Sequence, residues 1–503
     1  MAGDASSEIR ATGEAAGEES LDRRVLSSIE VLTQSVAGMA PTASVALIPL
    51  VVYASAGNGT WLAFALGVAV MICVAVGAVQ FSRRINSAGS LYVWVTQGLG
   101  PAAGFLVGWT LILGYLTIGM SVVVGIGIFG NDFLTHLGVD ANLRGLQVIL
   151  VVGALVAALA VAIRGIELSA RVGLVFEGLS VAIVLLVCVA VWLDQGTIFD
   201  SAQLKLEGVD ASGLLVGLVF GVLVLTGFES AGSLGVEARD PQRMIGRAIM
   251  SSLIVVGLFY VVASYTQVLG FQDAEGGLGA AGAPLPELAD DVGMSFLSWV
   301  IDLAFVVSFF ACALAIMNAG ARMLLAMGAD GIVPSNLTAT HPTHRTPHRA
   351  LVVVAVPIAA IPAILLASHD AVTVTTWVGV VAAFGFLFAY IMLAIAAPLF
   401  LARVGAGNPL VVLASALGVA GLVFVFWANW LPTTVPGDLF SPLVGTLKYL
   451  PYVFFGWLAL GAVWFAYTRA TRPEVAAGVG SRFDTSDDDG IEVGLPAASA
   501  EPA

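Results

Sequence analysis

About twelve apolar runs, each long enough to cross a bilayer, constrain this chain more than any other feature. They fall at roughly 29–55, 60–81, 101–134, 145–163, 172–193, 213–235, 248–270, 295–327, 350–367, 371–398, 409–430 and 450–468. Hydrocarbon offers no partner to a backbone amide or carbonyl, so a span satisfies them internally, as a helix does. An all-α integral membrane protein is therefore expected. Composition agrees: 503 residues that are 59% hydrophobic and 11% charged, with mean hydropathy +0.97, carry more apolar surface than soluble domains hide. The net charge of -14 sits largely at the two ends. Glu8, Glu14, Glu18, Glu19 and Asp22 stand at one, and Asp484, Asp487, Asp488, Asp489, Glu492 and Glu501 at the other. Residues 1–28 and 470–503 thus read as disordered acidic tails, rich also in Ala, Gly and Ser. Cys73, Cys188 and Cys312 are scattered singly through apolar segments, a pattern with neither a disulfide framework nor a metal site. No short basic-then-apolar signal peptide opens the chain, so the first span is expected to anchor it.

The cations orient the spans. With an internal N-terminus, only Arg144, Lys205 and Lys448 of the 20 Lys and Arg fall on the outer side. That asymmetry places both termini in the cytoplasm.

Two spans stop behaving like continuous helices. In the first, Ser35-Val36-Ala37-Gly38-Met39-Ala40-Pro41-Thr42-Ala43-Ser44 puts Gly, Pro and small polar residues inside an apolar run. Pro41 lacks an N–H and clashes with the preceding turn, so the helix opens or bends there. In the sixth, Thr226-Gly227-Phe228-Glu229-Ser230 sets a helix-weakening glycine beside an ionisable side chain. The first interruption lies about 21 Å from the outer end of its span, the sixth about 18 Å, at the helical rise. Both are near the middle of a core about 30 Å thick. Irregular backbone survives at that depth only under cover of protein or a cavity. Five spans separate the two, and an odd offset reverses direction, which is what an inverted five-plus-five repeat with discontinuous helices 1 and 6 produces.

Four segments in order carry a resemblance. Gly227-Phe228-Glu229-Ser230-Ala231 leads to Glu237-Ala238-Arg239-Asp240-Pro241-Gln242-Arg243. Ser87-Ala88-Gly89-Ser90-Leu91-Tyr92 is followed by Leu99-Gly100-Pro101 and Gly104-Phe105-Leu106-Val107-Gly108-Trp109. Asn318-Ala319-Gly320-Ala321-Arg322 precedes Met327-Gly328-Ala329-Asp330-Gly331-Ile332-Val333-Pro334. From about residue 20 to 470 the chain resembles the amino acid–polyamine–organocation permease superfamily, and bacterial amino acid permeases within it. The resemblance implies a ten-helix transport core over 29–398 and two additional transmembrane helices over 399–469. Members of the superfamily usually carry a Gly-small-Gly triplet in the first break, where bare amides hold the substrate carboxylate. Thr42-Ala43-Ser44 stands here instead, after Pro41, which weakens the case for an ordinary amino acid.

The implied function is secondary active transport of an amino acid or related amine across the cell membrane by alternating access, as proton-coupled uptake. Amides of Thr42, Ala43 and Ser44 at the start of the outer half-helix would face an anion. Carbonyls near Thr226 would suit an ammonium group. Gly38, Pro41 and Gly227 shape the breaks, Phe220 and Phe228 are candidate apolar gates, and Tyr115 matches a cavity-facing position of the superfamily. Glu177 and Glu229 are intramembrane acids with no Lys or Arg at their level on the same spans, a setting typical of proton relays. Glu177 lies one turn from Ser180, which occupies the place of a lysine that some proton-coupled relatives carry; that mechanism is not transferred. Sodium is the rival ion. No cofactor, metal or nucleic-acid partner is expected; membrane lipids surround the spans, and a homodimer is an open arrangement. An exchanger and a non-transporting nutrient sensor on the same scaffold are the alternatives. An enzyme is not expected, because all five His fall in expected loops and no glycine loop with Lys cradles a phosphate.

Overall fold

The computed structural model of the protein describes residues 21, 23–139, 144–430 and 449–481. The first crossing is divided into α1 (Ser28–Gly38) and α2 (Pro41–Ala56), and α3 (Thr60–Ser82) returns. The short α4 (Leu91–Leu99) leads into the long α5 (Pro101–His136). Next come α6 (Arg144–Arg164), α7 (Ile166–Asp194) and the one-turn α8 (Ser201–Leu204). The sixth crossing is α9 (Ala211–Leu223), broken and then resumed as a 3-10 helix over Phe228–Leu234. α10 (Pro241–Gly270), α11 (Pro284–Asp291), α12 (Ser298–Ala329), α13 (His348–Leu365) and α14 (Ala371–Arg403) follow. α15 (Pro409–Trp430), α16 (Leu450–Thr471) and α17 (Pro473–Ala477) close the described chain.

Among the described residues, 11 stretches are long and apolar enough to cross a membrane, the first being Ser28–Ser82 with 55 residues. That stretch makes two crossings. Leu26 bridges to Ala238 at one end of the bundle. Ser55 abuts Gly213 at the other, and Ser82 at the close of α3 lies beside Gly246, back near the start of α10. The chain therefore goes up through α1 and α2, reverses at Gly57 (φ +51), and comes down as α3. With that division the expected count of about twelve holds. The same contacts run spans one and six antiparallel, as a reversal after five spans requires.

Helix starts follow from local chemistry. Asp210 and Asp370 cap α9 and α14 by accepting the N–H of Gly213 and Thr373, each at 2.8 Å. Hydroxyl bonds from Ser212 and Thr373 hold these two carboxyls below their ordinary range, so they stay ionised where a helix N-terminus favours an anion. Pro101, Pro241 and Pro409 open their helices, where the missing N–H costs nothing.

One end of the bundle is rich in arginine and cross-linked. Arg322, fully buried, meets Glu237 in a two-pronged ion pair at 2.6 and 2.7 Å and donates to the Asn318 carbonyl at 3.1 Å. Two expected boundaries fall inside ordered structure here. Val25 and Leu26 donate their N–H groups to the Glu237 carbonyl at 2.9 and 3.0 Å, so the chain is fixed before residue 28. At the far end, α17 leads to Gly480, whose N–H donates to Asp330 at 2.7 Å. Gln97 donates to the Gly480 carbonyl at 2.9 Å, so 470–481 is no loose tail. Acid-rich composition averaged over each end hid these short backbone attachments. The expectations for residues 1–20 and 482–503 lie outside the described residues.

α16 is docked on α5 through a reciprocal indole pair. Trp109 and Trp457 stack with centroids 4.5 Å apart, and each Nε1–H donates to the other's carbonyl at 2.8 Å.

Candidate functional site

The two interruptions meet. α1 ends at Gly38, Met39 and Ala40 are unwound, and Ala40 takes a left-handed conformation (φ 44), which costs a non-glycine residue about 1–3 kcal/mol. Pro41 then opens α2. In the sixth span the helix stops at Leu223, and Gly227 (φ 97) turns the chain before Phe228. A Cβ on Gly38 would stand 2.7 Å from the Gly227 carbonyl oxygen, and one on Gly227 would run into the Gly38 carbonyl. Only two glycines let these backbones touch. The space beside Gly227 is taken in this structure by the backbone of the first span.

Side chains sew the breaks together. The Ser35 hydroxyl donates to the Phe228 carbonyl at 2.6 Å, and the Ser230 hydroxyl to the Gln34 carbonyl at 2.9 Å. On α10, the Tyr260 hydroxyl lies 3.0 Å from the Met39 carbonyl and 3.1 Å from that of Val224. It thereby serves a carbonyl freed by each interruption.

Glu229 is fully buried and held by two phenols. Tyr115 of α5 donates to its Oε1 at 2.9 Å, and Tyr390 of α14 donates to Oε2. The Tyr390 oxygen also accepts the Gly227 N–H at 2.9 Å, so one hydroxyl links the acid to the turn. The Phe228 ring lies against Tyr390, centroids 5.0 Å apart. Glu177 forms a second buried polar centre. The Ser308 hydroxyl of α12 lies 3.0 and 3.1 Å from its carboxyl oxygens, and Ser180 is 3.4 Å from Oε2. Thr42 donates to Ser180 at 3.1 Å, joining this centre to the start of α2. The Cys312 thiol lies 3.6 Å from the Gly38 carbonyl.

The structure thus gathers Gly38, Thr42, Tyr115, Gly227, Phe228, Glu229 and Glu177 into one buried region. Pro41 and Ala43 share the first turn of α2 and are buried. The amide of Ser44 is occupied by the Ala40 carbonyl at 2.9 Å, which corrects its expected place among open donors; its hydroxyl donates to the Met39 carbonyl at 3.2 Å. Thr226 turns its hydroxyl back to the Leu223 carbonyl at 2.8 Å. Phe220 lies partly buried on α9, a turn before the break. Tyr260, Tyr390, Ser35, Ser308 and Cys312 were missed from sequence. A lone tyrosine inside each of Gly257-Leu258-Phe259-Tyr260 and Phe388-Ala389-Tyr390 was the available signal, since a phenol in hydrocarbon needs a partner. Asp302 is buried 3.2 Å from His136, which ends α5 and is not in a loop.

Residues 30–476 match the family model described as amino acid permease. The chain is 26% identical over 312 residues to a branched-chain amino acid permease of Bacillus subtilis, covering 59% of this chain and 65% of that protein. It is 30% identical to an uncharacterized transporter of Mycobacterium tuberculosis, over 68% of this chain and 74% of the other. A low-affinity putrescine importer of Escherichia coli is 25% identical over 58% of this chain and 64% of its own. The chain thus spans just under two thirds of the first and third of these relatives. Its paired breaks, its crossings and the extent of the match together make it a multi-pass membrane protein of the amino acid permease family.

Proposed function

We propose that the protein is a secondary active transporter of an amino acid or related amine, working by alternating access and driven by protons into the cell, with both termini cytoplasmic. The observation that carries this reading is the pair of half-helix breaks in backbone contact, bordered by two buried acids whose described partners are hydroxyls and one short polar network. Relatives named for branched-chain amino acids and for putrescine bracket the substrate class: a small molecule with an amine, with or without a carboxylate.

The substrate region is Gly38, Pro41, Thr42, Ala43, Ser44, Tyr115, Phe220, Thr226, Gly227 and Phe228. The start of α2 presents the positive end of a half-helix, and the carbonyls before Gly227 present the negative end of α9. An amino acid needs both; an amine needs the second. Spans one and six move as a pair on this reading, because Ser35, Ser230 and Tyr260 tie them to each other. Glu229 couples a proton to that motion through Tyr390, which touches both the carboxyl and the Gly227 amide. Glu177 does so through Ser180 and Thr42. Coupling requires the protonated and unprotonated forms to favour different conformations.

Sodium is the one competing ion that a specific observation favours, since Glu177, Ser180, Ser308 and Thr42 make an oxygen-rich set. Purified protein in liposomes, given labelled leucine and labelled putrescine in turn, separates the readings. An imposed inward pH gradient without sodium is expected to drive accumulation of at least one. Glu229→Gln or Glu177→Gln is expected to retain binding of that solute while flattening the pH dependence. Sodium-dependent, pH-insensitive uptake would overturn the proton assignment, and binding without flux would make the protein a sensor.

A further inference from the structure

At the arginine-rich end, α3 and α10 approach at Gly246, where an added Cβ would stand 2.8 Å from Ser82 Oγ and 3.4 Å from Val79. α3 ends there, at Ser82, while α10 reaches back to Pro241. A cleft of about 740 Å³ opens between them and the chain entering α1. Arg24, Arg83, Arg239, Arg243 and Arg247 line it, against one acid, Asp240. The guanidinium of Arg239 donates to the Val25 carbonyl at 3.2 Å. Arg243 stands 3.8 Å from Asp240, which is also the N-cap of α10. All five arginines are exposed.

The cleft is not purely polar. Val79 and Met250 line it beside the arginines. Along α10, Arg243, Arg247, Met250, Ile254 and Leu258 are separated by three or four residues, so they form one stripe. Ile254 is 50% and Leu258 62% exposed, so the stripe continues outward as bare hydrocarbon. Guanidinium forks suit phosphate oxygens, and an apolar track leading from them into the membrane suits an acyl chain. Basic pockets between helices at the membrane surface take anionic headgroups for this reason.

We propose that this cleft is a binding site for an anionic phospholipid, with the headgroup phosphate among Arg83, Arg243 and Arg247 and an acyl chain along Met250, Ile254 and Leu258. A soluble phosphate would use the arginines and leave the stripe idle. The site lies at the junction of the sixth and seventh spans, so an occupant would brace the end of the broken span. It is distinct from the transport region and does not depend on the coupling ion.

The full chain in detergent, relipidated with phosphatidylglycerol or with phosphatidylcholine, tests the site by native mass spectrometry and thermal unfolding. Wild-type protein is expected to retain phosphatidylglycerol selectively and to melt several degrees higher with it. The Arg83→Gln/Arg243→Gln/Arg247→Gln variant is expected to lose at least tenfold in retention and the whole thermal gain. Leu258→Asn, which leaves the arginines intact, is expected to weaken lipid retention without changing the response to inorganic phosphate. Equal retention of phosphatidylglycerol by wild type and triple variant overturns the proposal. So does an equal thermal gain with inorganic phosphate alone, which would assign the cleft to a soluble anion. Retention that appears only after removal of residues 1–20 would instead assign it to the chain's own acidic segment, and likewise overturns the lipid.

Discussion

Arg322 shows what a single buried charge demands. It has almost no contact with solvent, and its guanidinium is matched by both oxygens of Glu237. Removing one partner strands the other in a low-dielectric interior, at a cost of about 3–5 kcal/mol. Replacing both by apolar side chains removes the charge altogether and is often close to neutral. Arg322→Met is therefore expected to lower the melting temperature of the detergent-solubilised protein sharply, and Arg322→Met/Glu237→Leu to recover most of the loss. A double variant as unstable as the single one would mean that the pair is needed for more than charge balance. The carboxyl of Glu229 has a gentler dependence. Its two phenol donors are each worth about 1.5–3 kcal/mol if the group is ionised and about half that if it is neutral. Tyr390→Phe is thus expected to destabilise more than Tyr115→Phe, because the Tyr390 oxygen also accepts the Gly227 amide. The melting temperatures of the two variants decide it.

The broken helices meet backbone to backbone, and their fit is set by missing side chains. Gly38→Ala and Gly227→Ala each push a methyl into the backbone of the opposite break. Gly227→Ala also forces a left-handed φ on a residue that resists it. Both are expected to lose uptake together with thermal stability, and Gly227→Ala to lose more. An unchanged melting temperature with abolished uptake would show that the two segments part easily and that the contact is a feature of one conformation only. Much of this was legible beforehand. Pro41 and the Gly227-Phe228-Glu229 run advertise breaks because they violate what a helix in lipid tolerates. What closes the breaks was not legible, because Tyr260, Tyr390, Ser308 and Cys312 come from spans far along the chain. An isolated hydroxyl in an apolar run says that it needs a partner without saying which. The unwound point also sits at Met39 and Ala40, just before Pro41, since proline is at home in the first turn of a helix.

For the whole molecule, the segregation of arginine to one end is the feature with the widest reach. Arg24, Arg83, Arg239, Arg322 and Arg403 belong to that end, with Lys205 at the other. If the arginine-rich end faces the cytoplasm, a cysteine replacing Gly407 between α14 and α15 is expected to resist an impermeant thiol reagent in intact cells. One replacing Glu275 after α10 is expected to react. Both positions are exposed, so access is set by the membrane alone, and the opposite labelling pattern would invert the molecule. The number of crossings was plain from hydropathy. The anchoring of the segment after α16 was not, because attachment of Gly480 to Asp330 and Gln97 depends on two backbone and two side-chain groups that composition averages away.

The indole pair that docks α16 also gives the protein an optical handle. Trp109 and Trp457 are stacked at 4.5 Å, close enough for their excited states to couple, and each nitrogen is tied to the other's backbone. Exciton coupling of that kind appears in far-ultraviolet circular dichroism, through the strong indole transition there, and vanishes when the rings separate. The attachment of α16 to α5 can therefore be followed in real time without a label, through detergent exchange or lipid addition, as the part of the signal from the chain's 10 tryptophans that Trp457→Phe removes.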